Sequence, residues 1–144
     1  MNLNFFKQTR ILDGGMGQEL LARGMKPSGT LWSANAILDE NYHQLLEDTH
    51  RDFVKAGAEV IVTTTFTTRR KRLRENNIED KFEYLNIKAG EIASNVKKEF
   101  PNILIAGGKG SGSIIYSHDN GISWCAIKNN IFTNSCNSII WCYI

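Results

Sequence analysis

The residues with the clearest potential for chemistry lie in the stretch Arg10 to Gly17, which reads RILDGGMG. Asp13 follows two apolar residues that suit a buried strand. The carboxyl end of such a strand is a common position for a functional group in α/β folds. The glycines that follow allow a tight bend or a close approach to the backbone. A second interpretation, that Asp13 only caps the following turn, is equally compatible with this strand taken alone.

The glycines do not form a phosphate-binding loop. GGMG lacks the spacing of G-x-G-x-x-G, and the chain contains no G-x-x-x-x-G-K-[ST] pattern. A second apolar run, AEVIVTTTF at 58–66, also ends in small polar residues. Threonine hydroxyls can donate or accept hydrogen bonds. For most of these threonines, however, β propensity alone is the expected explanation.

Two other polar groups are predicted to be solvated surface. His43 and His50 lie seven residues apart on a predicted helix, too far apart to share one metal ion. The basic run RRKRLR at 69–74 could attract a polyanion. The start of a solvated helix is the preferred interpretation, because acidic residues elsewhere nearly balance it.

Composition indicates one ordinary globular domain. The chain has 144 residues, of which 42% are hydrophobic and 22% charged. A net charge of +2 gives no reason to expect a nucleic-acid partner, and no apolar run reaches the length of a membrane-spanning helix. The cysteines are odd in number and no secretory signal accompanies them, so free thiols and a cytoplasmic location are predicted.

Apolar runs alternate with amphipathic helices over residues 10–108. Such alternation predicts an α/β fold in which helices cover a parallel sheet, with right-handed crossovers. A short helix is expected at 18–22 and a long loop at 25–40. The remaining predicted elements are strands at 10–13, 59–65 and 103–106, and helices at about 41–56 and 80–100.

The character of the chain changes after residue 108. KGSGS at 109–113 is typical of a flexible linker. Beyond it charge nearly vanishes, and Ile114–Tyr116 and Ile122–Ile127 flank a turn, which predicts a β-hairpin. The predicted organisation is therefore a first domain at 1–108, a linker at 109–113 and a β-rich tail at 114–144.

Four separate pieces of the first domain resemble the homocysteine S-methyltransferase family of (β/α)8 barrels. They are ILDGGMGQELLARG at 11–24, LWSA at 31–34, DFVKAGAEV at 52–60 and TTTF at 63–66. Their order and spacing make the resemblance specific. It covers about residues 10–108 and implies the first three β/α units of a TIM barrel, followed by the short β-rich tail.

The resemblance implies methyl transfer from a sulfonium- or ammonium-type donor to the zinc-activated thiol of homocysteine, which gives methionine. In that family cysteine thiolates hold the zinc, which lowers the pKa of the bound thiol. By resemblance, Asp13 and the backbone of Gly14 hold the amino-acid end of homocysteine, and Thr63 helps to position it. Trp32 either faces the cationic methyl donor or anchors its loop on the core.

The tail departs from the family pattern. Cys125, Cys136 and Cys142 do not form the adjacent pair that would bind zinc, so no metal ligand is assigned. Residues 117–124 instead resemble a single Asp-box hairpin of sialidase-like repeats, a structural motif carried by Ser117, Asp119, Gly121, Ser123 and Trp124.

The chain alone is therefore predicted to be incomplete and inactive. The alternative is a non-catalytic truncated or fused fragment that acts as a binding or structural module. An open sheet edge at 103–106 predicts self-association, unless the strand-rich tail pairs with that edge.

Overall fold

The computed structural model describes residues 5, 7–108, 114–117 and 124–126. Within these ranges, short 3-10 turns at Trp32–Ala34, Glu40–Tyr42 and Glu79–Lys81 precede or join longer elements. The helices are α1 (Met16–Ala22), α2 (Asn35–Leu38), α3 (His43–Lys55), α4 (Arg70–Glu75) and α5 (Phe82–Glu99), and the strands are β1 (Val60–Thr63), β2 (Leu104–Gly108), β3 (Ile114–Ser117) and β4 (Trp124–Ala126).

The predicted parallel pairing is confirmed on both sides of β1. On one side, β1 and β2 pair in parallel, from Val60 opposite Leu104 to Thr63 opposite Gly107. On the other side, Leu12 forms a parallel bridge with Val60. The first described part of the chain is therefore an α/β arrangement, whereas the number of barrel units remains a prediction.

The segment predicted as a buried strand at 10–13 forms a single bridge instead of a ladder, and its apolar residues Ile11 and Leu12 are exposed, so its predicted burial is wrong. The amide of Val60 donates to the carbonyl of Ile11, and the amide of Asp13 donates to the carbonyl of Val60. In a continuing parallel ladder, the next donor, Val62 N, would bond to the backbone carbonyl of Asp13. Here Val62 N donates to the Asp13 side chain instead, at 2.9 Å. The carboxylate thus takes the place of its own carbonyl, and the pairing ends.

The two long helices form where the apolar stripes predicted them. The apolar stripe of α5 is buried and consists of Phe82, Leu85, Ala89, Ile92, Ala93 and Val96. Pro101 follows the end of this helix. The predicted helix at 41–56 begins with a 3-10 turn, and Asp39 caps that turn by accepting from Asn41 N. Asn41 is therefore a donor to the cap and not the cap itself.

Two groups of buried apolar side chains form the core. One lies between α5 and the sheet and contains Ile61, Ala93, Val96, Ile103 and Ile105. The larger one lies among the helices and contains Leu20, Met25, Leu31, Ala34, Ala36, Ile37, Leu46, Leu73, Phe82, Leu85, Ala89 and Ile92. The first group packs α5 on the sheet, and the larger group packs the helices on one another.

The predicted hairpin is confirmed where the structure describes it. β4 pairs antiparallel with β3, and β3 pairs antiparallel with β2 over Ala106–Gly108. The tail pairs with the predicted edge at Ala106, so the alternative in which the tail covers that edge is confirmed at this residue. The linker at 109–113 and the Asp-box residues Asp119, Gly121 and Ser123 lie outside the described residues. The domain boundary and self-association remain predictions.

The basic run forms α4 and contributes to packing as well as to charge. Leu73 is buried, and the Arg70 guanidinium lies 4.0 Å from the centre of the Phe82 ring. Arg74 makes two hydrogen bonds to Glu79. Across the described part of the chain, no helix is both long and apolar enough to span a membrane.

An acid-sensitive ion pair holds the first segment against β1. Arg10 Nη1 lies 2.6 Å from Glu59 Oε1, and Ile11 N donates to Glu59 Oε2. The hydrogen bond from Arg10, and then that from Ile11, lower the pKa of Glu59 below its ordinary value of 4.5. Because the folded-state pKa is depressed, this stabilisation is present above pH 4.5 and is lost as the pH falls through the folded-state pKa.

Glu59→Gln is therefore expected to lower Tm at neutral pH, with a difference from the wild type that shrinks below about pH 4.5. Thermal unfolding of both proteins between neutral pH and about pH 3 measures this difference. Glu83→Gln, at an exposed position, is the control. If the difference in Tm between Glu59→Gln and the wild type grows as the pH falls, the stabilising role of the Arg10–Glu59 ion pair is contradicted.

Candidate functional site

Asp13 lies at the end of the first strand segment, immediately before the glycines that lead into α1. Its side chain is only 4% exposed, and its Oδ2 accepts the hydrogen bond from Val62 N. Among the described residues no donor hydrogen-bonds to Oδ1. A buried carboxylate therefore has one oxygen held by the sheet and the other available to a ligand.

His50 lies against the same carboxylate, and the prediction that it is solvated surface is wrong. The side chain is 1% exposed, and its Nδ1 lies 3.6 Å from Asp13 Oδ2. The buried stripe of α3 contains Leu46, Thr49 and His50. His50 is four residues after Leu46 and three before Phe53, so helical periodicity already placed it on the buried face. His43 is half-buried, and its Nε2 lies 2.8 Å from Ile37 O.

Two of the glycines that follow Asp13, Gly14 and Gly17, lie against aromatic side chains. A Cβ at Gly14 would lie 2.7 Å from Cε1 of Phe53, and one at Gly17 would lie 2.6 Å from Cδ1 of Trp32. Neither site has room for a side chain without movement of an aromatic ring. The predicted close approach to the glycine backbone is made, within the described structure, by side chains of the chain itself.

Trp32 packs on α1 and is also accessible. Its ring lies over Gly17, yet 45% of the residue is exposed. Its φ of 51° is in the left-handed region, which is uncommon for a residue with a side chain and which clusters at functional sites. The packing on Gly17 supports the anchor interpretation. The donor-facing role remains a proposal.

The threonines after β1 form a buried layer of hydrogen bonds. β1 ends at Thr63, so Thr64 and Thr65 lie in the turn that follows and not in the predicted strand at 59–65. Thr63 Oγ1 and Thr65 Oγ1 are 3.1 Å apart, and Thr67 Oγ1 is 3.1 Å from Ser33 Oγ. Attributing most of these hydroxyls to β propensity was therefore wrong.

The threonine layer joins three parts of the chain. Thr68 Oγ1 contacts both the Thr65 carbonyl and Asn86 of α5, and Ser33 brings the Trp32 loop to Thr67. Thr64 Oγ1 is buried and makes no hydrogen bond within the described structure. The end of β1 thus holds the Trp32 loop and α5 around Thr63, which is itself 3% exposed.

Ion pairs join the outer faces of the helices around Asp13. The hydrogen bond to Arg51 lowers the pKa of Glu99 and joins α3 to α5. The hydrogen bond from Arg23 lowers the pKa of Asp52 and joins the end of α1 to α3. In both pairs the acidic side chain is about half exposed, so neither pair alone determines the position of α3.

The described residues do not fit a zinc site. Within them, no group of three His, Cys, Asp or Glu side chains could hold a metal ion. Cys125 lies in β4, while Cys136 and Cys142 lie outside the described ranges. The zinc expected from the resemblance therefore has no assigned ligand.

The Asp13 carboxylate lies at the carboxyl end of a parallel strand segment, which is a common position for functional groups in α/β folds. The sequence model of the homocysteine S-methyltransferase family matches residues 10–134, and the chain belongs to that family. The predicted family is thus confirmed. The match also extends to residue 134, beyond the resemblance predicted for residues 10–108.

Individual relatives agree with the family. Homocysteine S-methyltransferase 2 of Saccharomyces cerevisiae is 34% identical over 90 residues, which are 56% of this chain and 28% of that protein. S-methylmethionine–homocysteine S-methyltransferase of Rattus norvegicus is 33% identical over 96 residues, 67% of this chain and 24% of the relative.

A solved structure shows the same fold relationship. The metallated homocysteine methyltransferase MmuM from Escherichia coli superposes with a TM-score of 0.62 at 27% identity, over 74% of this chain and 39% of that one. The chain thus spans less than half the length of each of these relatives.

Proposed function

We propose that this chain provides the homocysteine-binding part of a methyltransferase that converts homocysteine to methionine, with a sulfonium- or ammonium-type methyl donor. The observation that carries the proposal is the Asp13 carboxylate, buried and held through Oδ2 by Val62 N. A buried carboxylate is stable when a cation compensates its charge. The α-ammonium of homocysteine is such a cation, and Oδ1 is available to accept from it.

The neighbouring residues take roles consistent with this binding mode. Gly14 has no side chain, so its backbone is open to the amino-acid end of the substrate on the side not covered by Phe53. Thr63 lies at the end of the adjacent parallel strand and offers a buried hydroxyl. Trp32, with its exposed ring, is proposed to face the cationic donor methyl.

The reaction requires a donor held in line with the substrate sulfur. The thiolate sulfur forms a bond to the methyl carbon as the carbon–sulfur or carbon–nitrogen bond of the donor breaks, and the electron pair leaves with the donor. The chain's own contribution is to orient the substrate so that its sulfur is directed away from the Asp13 anchor.

Binding of L-homocysteine and of 4-mercaptobutyrate, which lacks only the α-ammonium, tests the proposal. Isothermal titration of each ligand into the 144-residue chain gives two dissociation constants. A charge-assisted hydrogen bond contributes about 1.5–3 kcal/mol, so 4-mercaptobutyrate is expected to bind at least about 10-fold more weakly. Equal affinities, or no binding of homocysteine, would contradict the proposal.

A methyl-transfer assay with S-methylmethionine and added zinc distinguishes the two functional hypotheses. Homocysteine binding without turnover is expected if the chain lacks its zinc-binding part, and it would support the non-catalytic binding module. Turnover would show that the chain is active alone. The cytoplasmic location predicted from the cysteines remains a proposal.

A further inference from the structure

Helix α3 presents two side chains, one turn apart, to the Asp13–Gly14 tip. Phe53 lies so close to Gly14 that a Cβ there would be 2.7 Å from its ring. His50, three residues earlier, brings Nδ1 to 3.6 Å from Asp13 Oδ2. Residues at this spacing share a helix face. The face of α3 turned towards the first strand thus meets the proposed substrate anchor directly.

The Nδ1 atom of His50 has no hydrogen-bond partner among the described residues, although it is fully buried. Buried polar atoms without a partner are rare in folded proteins, because they have lost their hydration. The neighbouring Thr49 shows the usual outcome, since its hydroxyl donates to Leu45 O at 2.7 Å. A side chain that only filled the core would be better replaced by an apolar one.

The distance from Nδ1 to the Asp13 carboxylate is just beyond hydrogen-bonding range. At 3.6 Å the pair is not a hydrogen bond. A movement of a few tenths of an ångström would make it one, and hydrogen bonds in binding sites commonly tighten when the ligand is bound. Asp13 Oδ2 already accepts from Val62 N and has a second lone pair for another donor.

We propose that His50 is a positioning residue for Asp13, an inference that rests on the proposed function. In the homocysteine complex, its imidazole carries the proton on Nδ1 and donates to Oδ2. Val62 N and His50 Nδ1 then fix one oxygen of the carboxylate. The plane of the carboxylate is set, and Oδ1 is directed at the α-ammonium.

Replacement of His50 by residues of two kinds tests this role. His50→Leu removes the donor and keeps an apolar core residue, while His50→Asn restores an N–H close to the position of Nδ1. His50→Leu is expected to weaken homocysteine binding about fivefold and to leave 4-mercaptobutyrate binding unchanged. His50→Asn is expected to recover most of the loss. An equal loss for both ligands, or an unchanged homocysteine affinity in folded His50→Leu, would overturn the proposal.

The imidazole nitrogen resonances of the wild-type chain give a second readout that needs no variant. In a long-range ¹H–¹⁵N NMR spectrum, the Nδ1-protonated tautomer is expected for His50 with homocysteine bound, and its Nδ1 resonance is expected to shift with homocysteine but not with 4-mercaptobutyrate. The Nε2-protonated tautomer in the complex would overturn the inference. If the wild type binds both ligands equally, the proposed function itself fails. If it discriminates between them and His50→Leu discriminates equally, only the role of His50 fails.

Discussion

Asp13→Asn is expected to weaken L-homocysteine binding by about 10- to 100-fold, as the loss of a charge-assisted hydrogen bond would. The amide that replaces the carboxylate keeps an oxygen for Val62 N, so the link between the first segment and β1 survives. It removes the negative charge that faces the α-ammonium. Affinity for 4-mercaptobutyrate, which has no ammonium, is expected to change little. Calorimetric titration of both ligands measures the difference.

Asp52→Asn provides the matched control for this substitution. Asp52 also pairs with a cation, Arg23 at 2.7 Å, but its side chain is exposed on the outer face of α3. Asp52→Asn makes the same chemical change away from the strand end. It is expected to leave the affinities for L-homocysteine and 4-mercaptobutyrate unaltered. If Asp13→Asn binds homocysteine as the wild type does, the carboxylate serves only to end the strand pairing.

Gly17→Ala is expected to destabilise the fold by about 1–3 kcal/mol, the usual effect of overpacking a filled site. Gly17 is buried within α1. At an ordinary helix position, replacing glycine by alanine stabilises the helix by about 1 kcal/mol. The added methyl would overlap the indole of Trp32, with Cδ1 only 2.6 Å away. The ring must move, and Trp32 is already in a left-handed backbone conformation that limits its freedom.

Gly15→Ala separates this steric effect from helix propensity. A Cβ at Gly15 meets no atom within 4 Å, and its φ of −71° suits any residue. Thermal unfolding should show a Tm several degrees lower for Gly17→Ala and one near the wild type for Gly15→Ala. A Gly17→Ala protein as stable as the wild type would show that Trp32 does not pack on α1.

Residue patterns were sufficient to predict the elements held together by burial. The apolar stripe of α5 and the continuous run of β1 depend on local periodicity, and both formed as predicted. The parallel pairing followed from the alternation of strands with helices. The ends of these elements were less predictable, because side-chain hydrogen bonds at Asp13 and in the threonine turn compete with the backbone there.

The sequence indicated the position of Asp13 but not its surroundings. His50 was interpreted from its seven-residue separation from His43. That separation argues against a shared metal ion, but it does not show whether His50 is buried. Asp13, whose carboxylate lies beside the His50 ring, is 37 positions earlier in the chain and in a different element. Only the packing of α3 on the first strand brings the two together. The contact between Trp32 and Gly17 likewise joins a loop to a helix through tertiary packing.

The antiparallel β3 limits how a strand from a second polypeptide could join this sheet. A strand has two hydrogen-bonding edges, and β2 uses one for β1 and gives Ala106–Gly108 of the other to β3. A further parallel strand supplied in trans would therefore have to displace β3. Leu104 and Ile105 have no β3 partner in the described register. The incoming strand would therefore pair first with these two residues and then replace β3 along the rest of β2.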